Sequence, residues 1–263
     1  MDPYDRVVTF FSGGFFGFGK EGDFRYGSLA HIAPIFITLV VICLIWKYRN
    51  ELINFKYEEE LRFIFAAILL FIEMSFFWRL FYVGPYEGMP SFMSNLPLQV
   101  CQWTLIITSF MIMKKSQLLF SISYCYCLTW NIFAICTPAV ISTTGPGYYR
   151  YYQFWGEHLL PIIGMFYMLF VHKFRVKPCY LILPLGLVEV MGVLAVKLNT
   201  TFPYANYLYM AANTDEPSFA NLFPENYYIR FVIYTIVSII FQTVVYIPMY
   251  FQVRKERDSS FRE

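Results

Sequence analysis

Charge is scarce in this chain. Only 14% of its 263 residues are Asp, Glu, Lys or Arg, against about 25% in an ordinary soluble domain. The net charge is +2 and no basic block is long enough to hold a nucleic acid, so no nucleic-acid partner is expected. Metal-binding spacing is missing too. The six cysteines are scattered, and Cys125-x-Cys127 has one intervening residue and no second pair. They read as small buried hydrophobes, with neither a metal nor a cofactor called for. The first 28 residues have no compact apolar core. Charged side chains surround Phe10-Phe11-Ser-Gly-Gly-Phe15-Phe16-Gly-Phe18, which excludes a cleavable signal peptide and fits a segment lying in a membrane interface.

Apolar residues dominate what is present: 58% are hydrophobic and 21% aromatic. Seven stretches approach the roughly 20 apolar residues that cross a bilayer. Their limits are 29–46, 61–83, 96–113, 117–141, 154–172, 178–198 and 229–252. The expected fold is all-α: a polytopic integral membrane protein with seven transmembrane helices. Its parts are an interfacial N-terminal segment (1–28), a seven-helix membrane domain (29–252) and a short tail (253–263). Lys114-Lys115 leaves so little room that spans three and four form a tight helical hairpin.

Basic residues divide the loops into two sets. The 47–62 loop carries Lys47, Arg49, Lys56 and Arg62, and the 114–115 turn carries two lysines. The 172–177 turn carries Lys173, Arg175 and Lys177, and the tail carries Arg254, Lys255, Arg257 and Arg262. The alternate loops hold only Arg150, apart from the three basic residues of the N-terminal segment. The positive-inside rule then predicts a cytoplasmic C-terminus and an N-terminus outside.

Ionisable side chains interrupt the hydrophobic stretches, among them Glu73, Arg79, Glu157, His158, Glu189 and Lys197. A charge in hydrocarbon costs at least a few kcal/mol, so such groups face a partner, a cavity or a substrate path. At about 1.5 Å of rise per residue, Glu73 and Glu189 fall near the midplane, with Asn131 slightly beyond it. Gln99, Cys101, Glu157 and His158 lie within roughly 8 Å of the outer face. Arg79 and Lys197 sit at outer helix ends, where snorkelling alone also accounts for them. The shared depth suggests one polar site open toward the outer leaflet, lined by Glu73, Asn131, His158 and Glu189.

Chemistry concentrates in a few segments. Asn95-Leu-Pro97-Leu-Gln99-Val-Cys101-Gln102-Trp103 opens the third span, with Pro97 suited to a first helical turn. Gln99 and Trp103 share a face. Cys101 lies about 200° round from Gln99 on a regular helix and so points elsewhere. Tyr148 to His158 enters the fifth span as an aromatic belt followed by an imidazole, the side chain best suited to move a proton near neutral pH. Glu157 reaches His158 only through the fold, because adjacent helical residues do not face each other. Asn131 is either interhelical glue or a polar donor. Residues 199–228 lack basic charge and are long for a connector, and loops of that kind often cover sites. They contain Asn206-Tyr-Leu-Tyr-Met210, and Asn199-Thr-Thr201 fits a glycosylation acceptor.

These motifs, with Thr137-Pro138, Pro217 and Pro224-x-x-Tyr227, resemble the transmembrane protein 164 / YwaF family from about residue 30 to 250. The resemblance implies seven membrane-spanning helices. Its eukaryotic branch is a cysteine-dependent acyltransferase that installs polyunsaturated chains on ether phosphatidylethanolamine. The family's Pro-Cys-His tripeptide falls on Pro97-Leu98-Gln99, so the thiol and its histidine are both replaced here. His158 matches the second family histidine and Asn131 the polar position of span four.

Two functions follow as expectations. One is an enzyme on membrane phospholipid acyl chains, with His158 as general base, Gln99 and Asn131 as polar donors and Cys101 as a possible nucleophile. In that reading Glu73, Arg79, Trp103, Glu157, Glu189, Lys197 and Asn206 contact substrate, and activity depends on the histidine while tolerating loss of the cysteine. The other is a transporter or binding protein for a small solute, using the midplane carboxylates.

Overall fold

The computed structural model describes residues 15–16, 24–83, 96–138, 145–202, 205–210, 224 and 226–260, without the side chains of 79–83, 257, 259 and 260. These residues form helices and no strands. They are α1 (Leu29–Lys47), α2 (Arg49–Ile53), α3 (Glu58–Val83), α4 (Val100–Lys114), α5 (Gln117–Tyr126), α6 (Ile132–Cys136), α7 (Tyr149–Phe170), α8 (Ile182–Thr201) and α9 (Tyr227–Ser260). A π-helical turn, Cys127–Asn131, joins α5 to α6 in one continuous rod. Most of the expected 1–28 segment lies outside the described residues. Within it, Phe15 and Phe16 pack against Tyr149, and the Phe15 carbonyl accepts from the Tyr149 backbone N–H.

Local chemistry sets the helix limits. α3 begins three residues earlier than expected because Glu58, Glu59 and Glu60 suit the positive end of a helix dipole. α4 begins later, at Val100, because Gln99 is extended and caps it. The α5–α6 rod stops before Thr137-Pro138, as the residue preceding a proline avoids helical geometry. α7 starts five residues early, drawing the aromatic belt and Arg150 into the helix. α9 runs on through most of the expected tail, to Ser260.

Seven rods alternate in direction, as individual contacts show. Arg62 near the start of α3 bonds the Ile112 carbonyl near the end of α4, and Glu73 bonds Gln102 near the start of α4. Asn131 late in the α5–α6 rod bonds the His158 carbonyl early in α7. Tyr126 bonds Pro184 near the start of α8, and Tyr124 bonds the Val245 carbonyl late in α9. One end of the bundle therefore gathers the starts of α1, α4, α7 and α9. It is called the capping end below, after Gln99, and the other the turn end, after Lys114–Ser116.

Among the described residues, five helices are long and apolar enough to cross a membrane: Leu29–Lys47, Glu58–Trp78, Gln117–Cys136, Pro178–Thr201 and Tyr227–Glu256. α4 is a shorter apolar helix of 15 residues. α7 has the length but is interrupted by Arg150, Gln153, Glu157 and His158. It lies inside, packed against α1, α3, α4 and the π-turn, so those groups meet protein rather than lipid. Close approach demands small residues there: a Cβ on Gly164 would lie 2.6 Å from Ile112 and 3.2 Å from Thr108. Outer faces are apolar, with Phe36, Ile37, Val232 and Val244 all exposed.

Candidate functional site

The capping end of α4 and α7 holds a buried polar cluster. Cys101 Sγ, a Glu157 carboxylate oxygen and an imidazole nitrogen of His158 all lie within 4.8 Å of one another. Glu157 and His158 are each 4% exposed, while Cys101 is half-buried. Around them, Gln153 Nε2 donates to Glu157 Oε2 at 3.1 Å, and Arg150 Nη1 stands 3.5 Å from the same oxygen. The Arg150 guanidinium lies over the Phe76 ring, 5.1 Å from its centre. Gln102 Nε2 donates to Glu73 Oε1 at 3.0 Å, so α3 joins the cluster one residue from Cys101.

His158 is held in one tautomer. Its Nδ1 lies 2.8 Å from the Phe154 carbonyl oxygen, one turn back on α7. A carbonyl only accepts, so Nδ1 carries the proton and Nε2 keeps its lone pair. The Phe154 ring packs on the imidazole at 4.3 Å between centres, which fixes the ring plane. Pro161 lacks the N–H that would bond the Glu157 carbonyl, loosening α7 beside the cluster. Asn131, on the π-turn, donates from Nδ2 to the His158 carbonyl at 3.0 Å. π-turns often mark functional sites; this one sets Asn131 against α7.

Several polar atoms here are buried without a hydrogen-bond partner among the described residues: Glu73 Oε2, Arg150 Nη1, Gln153 Oε1, Asn131 Oδ1 and Trp103 Nε1. Buried polar groups are nearly always satisfied, so orphans gathered in one place need an explanation.

The sequence-predicted residues separate into groups. Glu73, Cys101, Asn131, Glu157 and His158 come together. Glu189 does not: it accepts from Thr235 Oγ1 at 2.8 Å, tying α8 to α9. The expected four-residue lining is therefore corrected to three, with Glu189 serving as a bond between helices. Gln99 is also redirected. Its Nε2 donates to the Asn206 carbonyl at 3.1 Å and its Oε1 accepts from the Leu208 N–H at 2.9 Å, which spends its amide on the loop. The loop turns back here, with Tyr207 OH accepting from the Leu96 N–H and Asn199 bonding both backbone groups of Tyr207. Trp103 is half-buried, Lys197 is exposed, and the Arg79 side chain lies outside the described residues.

Cys101 points away from Gln99 as expected: the Gln99 amide turns to the loop while the thiol reaches Glu157 and His158. Gln99 itself precedes the helix at φ −77°, ψ 147°. Three residues were missed, each with a signal in the sequence. Gln102 follows Gln99 at capping-box spacing, and its Oε1 accepts the Gln99 N–H at 3.1 Å. Arg150 and Gln153 precede Glu157 by seven and four, one stripe of a helix.

A second polar cluster occupies the turn end. Glu58 Oε1 accepts from Arg62 Nε at 2.7 Å, Tyr167 OH at 2.8 Å and His172 Nε2 at 2.7 Å, with Lys115 Nζ 3.6 Å from Oε2. Arg62 Nη1 donates to the Ile112 carbonyl at 2.7 Å. Placing every ionisable interruption away from this end overlooked Arg62 and His172.

The sequence profile of the TMEM164 family matches residues 26–246, and the chain belongs to that family. No curated protein and no solved structure matches it. Family membership and the five apolar helices together make it an integral membrane protein.

Proposed function

We propose that this member of the TMEM164 family is a membrane enzyme that transfers acyl chains between phospholipids, with Cys101 as nucleophile and His158 as general base. The observation that carries the reading is the meeting of a thiol, an imidazole and a carboxylate within 4.8 Å. His158 Nε2 takes the Cys101 proton, and the thiolate attacks an ester carbonyl of the donor lipid. The tetrahedral intermediate collapses, the lysolipid alkoxide leaves with the proton from His158, and an acyl thioester remains on Cys101. A hydroxyl of an acceptor lysolipid then attacks the thioester while His158 accepts its proton. The thiolate departs and is reprotonated. Glu157 stabilises the imidazolium in both halves.

All seven rods cross the bilayer in this reading, with the N-terminus outside and the tail cytoplasmic. α7 spans about 33 Å at 1.5 Å per residue, enough for the hydrocarbon core. The capping end then faces the outer leaflet, where a lipid ester lies. The solute-transport reading needs the midplane carboxylates to cooperate, and their separate partners, Gln102 and Thr235, weigh against it.

The test is reconstituted protein with a phospholipid labelled in its acyl chain. Wild type is expected to carry the label as a hydroxylamine-labile adduct and to pass it to lysolipid, while Cys101→Ser does neither. Full transfer by a folded Cys101→Ser protein would overturn the mechanism. Labelling of a cysteine placed in the tail, from outside intact cells, would overturn the orientation.

A further inference from the structure

The capping-end cluster has the make-up of a cation site as well as that of a nucleophile and base. Three different ligand types converge there from two helices: thiol, imidazole and carboxylate. Each of the two α7 ligands has an outer partner that fixes it. His158 Nδ1 is bonded to a backbone carbonyl, which leaves Nε2 for a metal, and Glu157 is held by Gln153 and Arg150. Metal-bound histidines and carboxylates are supported in this way. Tetrahedral zinc with bonds of about 2.0–2.3 Å places its ligands about 3.5 Å apart. Closing from 4.8 Å therefore takes a shift of about 1 Å, within reach of side-chain torsions at half-buried Cys101.

Charge supplies a second, independent reason. Two buried carboxyl groups, Glu73 and Glu157, share this cluster with one guanidinium, Arg150, which stands 3.5 Å from Glu157. Glu73 is 4% exposed and its Oε2 has no partner. Uncompensated negative charge in a low-dielectric interior calls for a proton or a cation.

We propose that Cys101, Glu157 and His158 form a reversible site for a zinc-class divalent cation, leaving a fourth position open. Binding exchanges the Cys101 thiol proton, released to solvent, for a metal–thiolate bond. It also occupies His158 Nε2, so a metal-bound protein cannot start acyl transfer. The inference uses the same groups as the acyl-transfer reading but is independent of turnover. Cysteine spacing gave no sign of it, because each helix supplies only part of the ligand set.

The experiment is titration of purified protein with Co²⁺, then Zn²⁺, in a background where exposed Cys43, Cys136 and Cys179 are serine. One Co²⁺ per chain is expected, with a thiolate charge-transfer band that Zn²⁺ abolishes. Cys101→Ser removes the band, and Glu157→Gln weakens binding at least about 10-fold. No band in the folded background protein, or a band that survives Cys101→Ser, would sink the site. Thioester formation without metal binding would defeat this inference and leave the enzyme reading intact. Metal binding without a thioester would support the site and defeat the enzyme.

Discussion

α3, α4 and α7 carry buried polar groups at both ends, and the two ends are built differently. At the turn end, Glu58 is surrounded by Arg62, Tyr167, His172 and Lys115, and none of these side chains has a buried polar atom without a hydrogen-bond partner among the described residues. At the capping end, Glu73, Gln153 and Asn131 each keep one buried atom without a hydrogen-bond partner among the described residues. Both clusters join α3 to α7 and combine glutamate, arginine and histidine. Complete satisfaction marks the first as a clamp, since a saturated network has nothing left to offer a ligand. Incomplete satisfaction at the second supports the proposal that it binds a ligand.

The largest effect expected from this contrast is on chemistry. Cys101→Ser should reduce acyl transfer on the order of 10⁴-fold or more, the scale of losing a nucleophile. Its melting temperature should barely move, because a serine hydroxyl can still donate to Glu157 where the thiol does. Turnover and a detergent melt on the same preparation check both halves. A large fall in melting temperature would place Cys101 with the clamp residues instead.

Next comes the clamp. Glu58→Ala leaves Arg62, 4% exposed, as an uncompensated buried charge, and breaking such a pair costs about 3–5 kcal/mol. The expected result is a strong loss of thermal stability, with activity per folded molecule retained. An unchanged melt would show that the turn end is not a clamp.

Glu157→Gln should be milder. The amide keeps the shape that Gln153 contacts but removes the charge that stabilises the imidazolium. Transfer is expected to fall about 10²-fold, with a smaller loss of stability because Arg150 loses its counter-charge. Loss of stability with activity intact would make Glu157 a structural partner of Arg150.

Much of this architecture was legible in the sequence. Apolar run lengths found the helices, and intramembrane ionisable residues found Glu73, Glu157 and His158 because burying charge is costly wherever it occurs. The third dimension was not legible. Glu189 and Glu73 share a depth, yet depth carries no azimuth, and Glu189 faces α9. Gln99 was misread because its backbone leaves helical geometry one residue before the helix begins. Arg62 and His172 stand at the ends of their apolar runs, and only folding brings both to Glu58, which lies outside the expected spans.

The smallest effect gives the sharpest test of the comparison. In Glu73→Gln, the new carbonyl oxygen can still accept from Gln102 Nε2, at 3.0 Å in the native protein. The atom replaced by an NH₂ group is Oε2, which has no partner to lose. Stability should hold within about 1 kcal/mol or rise, since the amide cannot carry the charge that burial penalises. Glu58→Gln makes the same chemical change at the turn end, where the carboxylate answers Arg62, Lys115 and His172, so it should lower the melting temperature clearly. Melts of the two glutamines side by side read the sign at each end. Glu73→Gln proving the more damaging would mean that its Oε2 already has a structural partner, and the distinction between clamp and binding site would fail.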